Sequence, residues 1–134
     1  MSPAEEPSAW RPLPAVIYSF AVFYGGVIEI GPLPKLPGLA IDKVGHALAF
    51  AGLAVLVAFA LPKLPLLRRL VIAGSVSTGV GALLELVQSA LPYRSAEWLD
   101  LLADAVGAVL GALVVASFTR VREFRTVRAS ARQT

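Results

Sequence analysis

Eight residues carry much of the acid–base and hydrogen-bonding chemistry set within or beside the apolar stretches of this 134-residue chain. They are Asp42, Lys43, His46, Glu85, Gln88, Arg94, Asp100 and Asp104. His46 is the sole histidine. An imidazole beside a carboxylate can serve as general base or nucleophile, and a second carboxyl can serve as general acid. His46, Asp42, Glu85 and Asp100 are therefore the candidate catalytic residues. A guanidinium or ammonium can hold an anionic head group, and an amide can fix its orientation. Lys43, Gln88, Arg94 and Asp104 are the candidate ligand-binding residues, and Arg94 is also the candidate counter-ion of Glu85 or Asp100. Imidazole and carboxylates also suit zinc, manganese or magnesium. The spacing demands no metal, and no cofactor is expected.

The elements that must position these groups are written in the composition. The chain is 57% hydrophobic and 16% charged, against about 45–50% and about 25% for soluble domains. That points to lipid as the solvent and to an all-α, integral membrane four-helix bundle forming a single domain over residues 1–134. Spans are expected at about 13–30, 44–61, 70–91 and 98–118, followed by a basic tail at 119–134. Pro32, Pro34 and Pro37 break the chain after the first span, and Pro62, Pro65 and Pro92 mark the later turns. Residues 1–12 lack a basic leader and cleavage site, so they read as a retained tail. There are no cysteines, which excludes disulfides and thiolate metal sites. Gly107 and Gly111 form a small-xxx-small pair that lets helices approach closely. A net charge of +3, with the arginines gathered at one end, is a membrane-orientation signal. No nucleic-acid partner is expected.

With four spans, the N-tail, the second loop and the C-tail share a side. They hold Arg11, Lys63, Arg68, Arg69, Arg120, Arg122, Arg125, Arg128 and Arg132; the other side holds only Lys35, Lys43 and Arg94. Basic residues mark the cytoplasmic face, so a multi-pass cell-membrane protein with both termini inside is expected. The eight polar residues then fall in one layer near the outer face. His46 lies about 6 Å along its helix from Asp42, Glu85 about 9 Å from Leu91, and Asp104 about 9 Å from Trp98. Asp42/His46, Glu85/Gln88 and Asp100/Asp104 each share a helix face. A charge at membrane depth costs roughly 2.5–3.5 kcal/mol on insertion scales, so such faces should turn towards one another.

These motifs carry a resemblance. Asp42-Lys43-x-x-His46, Glu85-x-x-Gln88, and Arg94-Ser95-x-x-x-x-Asp100-x-x-x-Asp104 followed by Gly107 and Gly111 resemble the VanZ-like family of small membrane proteins. The likeness runs from about Gly25 to Ala116. Asp104 stands where the family pattern usually has Asn. The resemblance implies a cell-envelope setting associated with resistance to the glycopeptide teicoplanin. Membrane lipids and a lipid-linked envelope precursor are the expected partners, and a homo-oligomer is compatible with the packing faces. Three functions remain open at this point: binding or modifying an envelope lipid or lipid-linked glycan or phosphate group, a structural or interaction role, and an ion or proton path.

Overall fold

A computed structural model describes residues 10–28, 41–94 and 96–131. It contains four helices: α1 (Leu13–Val27), α2 (Ile41–Ala60), α3 (Leu66–Ser89) and α4 (Trp98–Ala131). The proline-rich connection after α1, Ser95 and the last three residues, Arg132 among them, lie outside the described residues, as does the end expected for the first span at Ile30. The four-helix membrane bundle expected from composition is the observed fold, and no strand occurs among the described residues.

Three of the helices are long and apolar enough to cross a membrane. α1 is apolar but has only 15 residues, about 22 Å, whereas the hydrocarbon core is about 30 Å thick. Its helical geometry ends where Ile28 turns extended, at φ −68° and ψ 145°. α2 and α3 each begin a few residues earlier than the sequence suggests. α4 differs most. It continues as helix to Ala131 and reaches roughly 51 Å. The stretch expected as a tail holds five arginines and no Gly or Pro, so nothing in it stops a helix.

The polar side chains lie where helix ends meet. α3 runs against α2 and α4, while α2 and α4 run alongside each other and make the most extensive packing in the bundle. Gly107 and Gly111 allow this. A Cβ on Gly107 would meet the backbone of Ala47, with that residue's carbonyl carbon 2.8 Å away, and one on Gly111 would meet the backbone of Ala51. The α2 surface that receives them is a stripe of alanines, continued by the fully buried Ala54 and Ala58. Phe50, Leu53 and Leu84 form the core beneath the polar layer, with Tyr18, Val22 and Phe23 of α1 packed against it. Ala58, Ala73 and Val115 form a second core nearer the basic end. Large apolar side chains such as Leu48, Leu83, Leu86, Val109, Leu113 and Val114 point outwards. Such a coat suits lipid and would be a liability in water.

Candidate functional site

The start of α2, the end of α3 and the start of α4 converge, and each brings a polar face. His46 Nδ1 donates to Asp104 Oδ1 at 2.8 Å across the α2–α4 contact. An ionised carboxylate can only accept, so this bond leaves Nε2 of the neutral ring with its lone pair free. Phe50, one turn along α2, stacks on the imidazole with ring centroids 6.3 Å apart. The sequence pairs His46 with Asp42 through their i, i+4 spacing; in the structure Asp104 holds the ring instead. Asp42 turns to Lys43, 3.0 Å away.

Lys43 is the hub of a second group. Its ammonium reaches Asp42, Glu97 at 2.6 Å, and Asp100. Glu97 is the residue that reading the sequence misses. It precedes Trp98 in a polar turn and looks like a solvated charge, yet its backbone N–H donates to Glu85 Oε2 at 3.0 Å. Its side chain also joins the Lys43 group. A carboxylate just ahead of a helix start, three residues before Asp100 and seven before Asp104, is the signal that could have placed it on the α4 face.

The groups grade from rim to floor. The side chains of Asp42 and Glu97 are each 49% exposed, while Lys43 and His46 are about a fifth exposed. Glu85 is 8% exposed, and Asp104 is wholly buried. Asp104 fits because Gly81 of α3 has no side chain: a Cβ there would meet Asp104 Oδ2 and lie 3.0 Å from its Cβ. Glu85 stands one turn further along α3 from Gly81, on the same face.

Two candidate ligand-binding residues do other work. Gln88 Nε2 donates to the carbonyl of Gly26 at 2.9 Å, and Arg94 Nη2 donates to that of Ile28 at 3.2 Å. Tyr93 supplies a third bond, to Val27 O at 2.9 Å. The last carbonyls of a helix have no partner within it, so these three donors together close the C-terminus of α1. The guanidinium also suits the negative end of the helix dipole. Arg94 therefore sits at α1, and Lys43 takes the counter-ion position expected of it. Among the described residues the site holds five carboxylates, one ammonium and one imidazole.

Deeper in α3 the uncharged polar side chains among the described residues are Ser77, Ser75 and the half-buried Thr78. Ser77, fully buried, is spent on the carbonyl of Phe50 at 2.7 Å, and Ser75 is exposed. Two surface grooves of about 630 and 500 Å3 lie at the opposite, basic end, beside Arg120, Phe124 and Arg125 and beside Phe59, Arg69 and Phe118.

A family model, VanZ/LLP1, matches residues 8–119, and so takes in α1, α2, α3, the first two-thirds of α4 and every residue of the polar layer. The chain belongs to the VanZ/LLP1 family. No curated protein and no solved structure matches it. Family membership and the three long apolar helices together make it a membrane protein. In this VanZ/LLP1 chain the polar layer lies wholly within the matched region, while the helical extension beyond residue 119 lies outside it.

Proposed function

We propose that this polar layer is a binding or reaction site for the head group of an envelope lipid or lipid-linked glycan, opening to the outer leaflet. The observation that carries the reading is the bond from His46 to the wholly buried Asp104, beside Glu85, reached past a partly exposed rim of Asp42, Lys43 and Glu97. Groups this polar are costly at membrane depth, and structural glue could be made with fewer of them. The floor is rich in acceptors. It suits hydroxyl or amino donors on a ligand better than a bare phosphate, because Lys43 is already shared among three carboxylates and Arg94 is engaged at α1. His46 Nε2 is the general base if the site is catalytic, and Asp104 fixes its tautomer. The teicoplanin association implied by the family likeness supports an outward-facing role. A transmembrane ion path has less support, since Ser77 is satisfied by backbone and Ser75 faces away from the helix contacts.

Orientation is tested first. The nine-to-three division of basic residues supports cytoplasmic termini. The chain has no native cysteine to interfere. Cysteines replacing Gly38 and Ser95 should react with an impermeant thiol reagent in intact cells; those replacing Ser2 and Thr134 should react only after permeabilisation. The reverse pattern moves the site to the cytoplasmic leaflet and ends the envelope reading.

Role is tested on Glu85→Gln and His46→Ala. Both should abolish the change in teicoplanin susceptibility conferred by the wild-type chain while inserted amount and melting temperature remain measurable and largely retained. Susceptibility that simply follows the amount of folded protein across the variants would make the layer a structural polar core.

A further inference from the structure

We propose that His46, Glu85 and Asp104 hold a divalent transition-metal ion at the floor of this site. One ring nitrogen of His46 and one carboxylate oxygen from each of Glu85 and Asp104 lie within 4.8 Å of one another. Ligands bound to zinc at about 2.0–2.2 Å stand some 3–3.5 Å apart, so small side-chain rotations close the set, and an ion taken by His46 Nδ1 displaces the proton which that nitrogen otherwise donates to Asp104. Three helices supply one ligand each, which makes the arrangement a product of the tertiary fold.

Two independent features point to a cation. The first is unmet bonding capacity. Asp104 Oδ2 and Glu85 Oε1 are both buried, and neither has a hydrogen-bond donor among the described residues. Asp104 Oδ2 leans over Gly81, towards the helix that carries Glu85. Buried carboxylate oxygens are expected to be paired, hydrogen-bonded or bound to metal. The second is charge. Lys43 answers Asp42, Glu97 and Asp100. Among the described residues, His46 is the group beside Glu85 and Asp104 that can carry positive charge, and no ion pair joins either carboxylate to a lysine or arginine. Two carboxylates and an imidazole match the charge and donor preference of zinc or manganese, and an N,O,O set favours these over calcium, which takes oxygen alone. The second acidic group, Asp42, Glu97 and Asp100, also clusters closely; Lys43 sits among its three carboxylates and offsets one of their charges, and Asp42 and Glu97 stand half exposed at the rim, open to solvent or a head group.

The inference shares its residues with the proposed function but is tested without any phenotype, so either can fail alone. The full chain is purified in mild detergent with a tag free of histidine. It is stripped with chelator and incubated with Zn2+ or Mn2+. Elemental analysis after desalting should find about one ion per chain, and the melting temperature should rise on reloading. Asp104→Asn and His46→Ala should bind the ion at least about 100-fold more weakly, since lost ligands cost more than lost supporting bonds. Ser89→Ala, on the exposed side of α3, should bind as wild type. Should those variants fold poorly, the wild-type chain decides: Mn2+-loaded protein should show electron-spin-echo modulation from a coordinated imidazole nitrogen. Negligible uptake of both ions with an unchanged melting temperature overturns the proposal. So does undiminished binding by the two folded variants, or bound Mn2+ without the nitrogen signal.

Discussion

Replacing Gly107 or Gly111 by alanine should destabilise the bundle by about 1–3 kcal/mol each, in a helix where the same change in open space is favourable. The sign is the informative part. In both places the added methyl meets backbone of α2, at Ala47 and Ala51. A flexible side chain can swing aside, but a backbone carbonyl inside a helix cannot, so the whole helix pair must separate. A separation here does more than loosen packing: the His46–Asp104 bond of 2.8 Å crosses the same α2–α4 contact, one turn from Gly107. Gly74 of α3 is the matched control. A Cβ there meets nothing within 4 Å, and Gly74→Ala should leave the melting temperature unchanged or raise it slightly. Thermal unfolding in detergent, followed by circular dichroism, measures all three. Equal melting temperatures would mean that α2 and α4 are not in close backbone contact.

The helix pair also shows where sequence reasoning works and where it stops. Gly107 and Gly111 are legible because glycine at four-residue spacing has few other reasons to occur in an apolar helix. Their partners are not: Ala47, Ala51, Ala54 and Ala58 are apolar residues in an apolar segment, and nothing in one sequence marks them as a docking stripe. The polar layer is legible for a related reason. In lipid each ionisable group is conspicuous, and depth follows from counting residues to the nearest turn. Pairing within the layer is another matter. An i, i+4 rule speaks of one helix, so it joins Asp42 to His46; the fold brings Asp104 across from another helix, and no spacing could have said so. Arg94 illustrates the same limit. Its charge suggests a carboxylate partner, but the end of α1 exposes carbonyls that only the tertiary structure brings within its reach. The long α4 was missed because basic residues beyond a span read as a tail, although their helix propensity is good.

Lys43→Met should be the most damaging single change at the rim, and its damage should be relieved by a second substitution. Among the described residues Lys43 is the cation that Asp42, Glu97 and Asp100 share. Removing one partner of a buried ion pair costs about 3–5 kcal/mol, because the partner charge is left without compensation. Asp42 and Glu97 are about half exposed and can turn to water, so the loss should come mainly from Asp100, whose side chain is 12% exposed. A destabilisation of about 1–3 kcal/mol is expected once screening is allowed for. Methionine keeps the apolar stem and so separates the charge from the packing. Adding Asp100→Asn to Lys43→Met removes the uncompensated carboxylate, and the double variant should be more stable than the sum of the two singles by about 0.5–3 kcal/mol. Arg94→Gln supplies the contrast. Its bond is to the carbonyl of Ile28, so it should loosen the end of α1 and add to Lys43→Met within about 0.5 kcal/mol, as independent sites do. Melting curves of the three single and two double variants in the same detergent decide between two arrangements of charge. Strong coupling of Lys43 to Asp100 with none to Arg94 is the result expected from the observed geometry. Coupling of Arg94 to the carboxylates instead would restore the arrangement that the sequence alone suggests, with the guanidinium inside the site and free to grip an anionic head group.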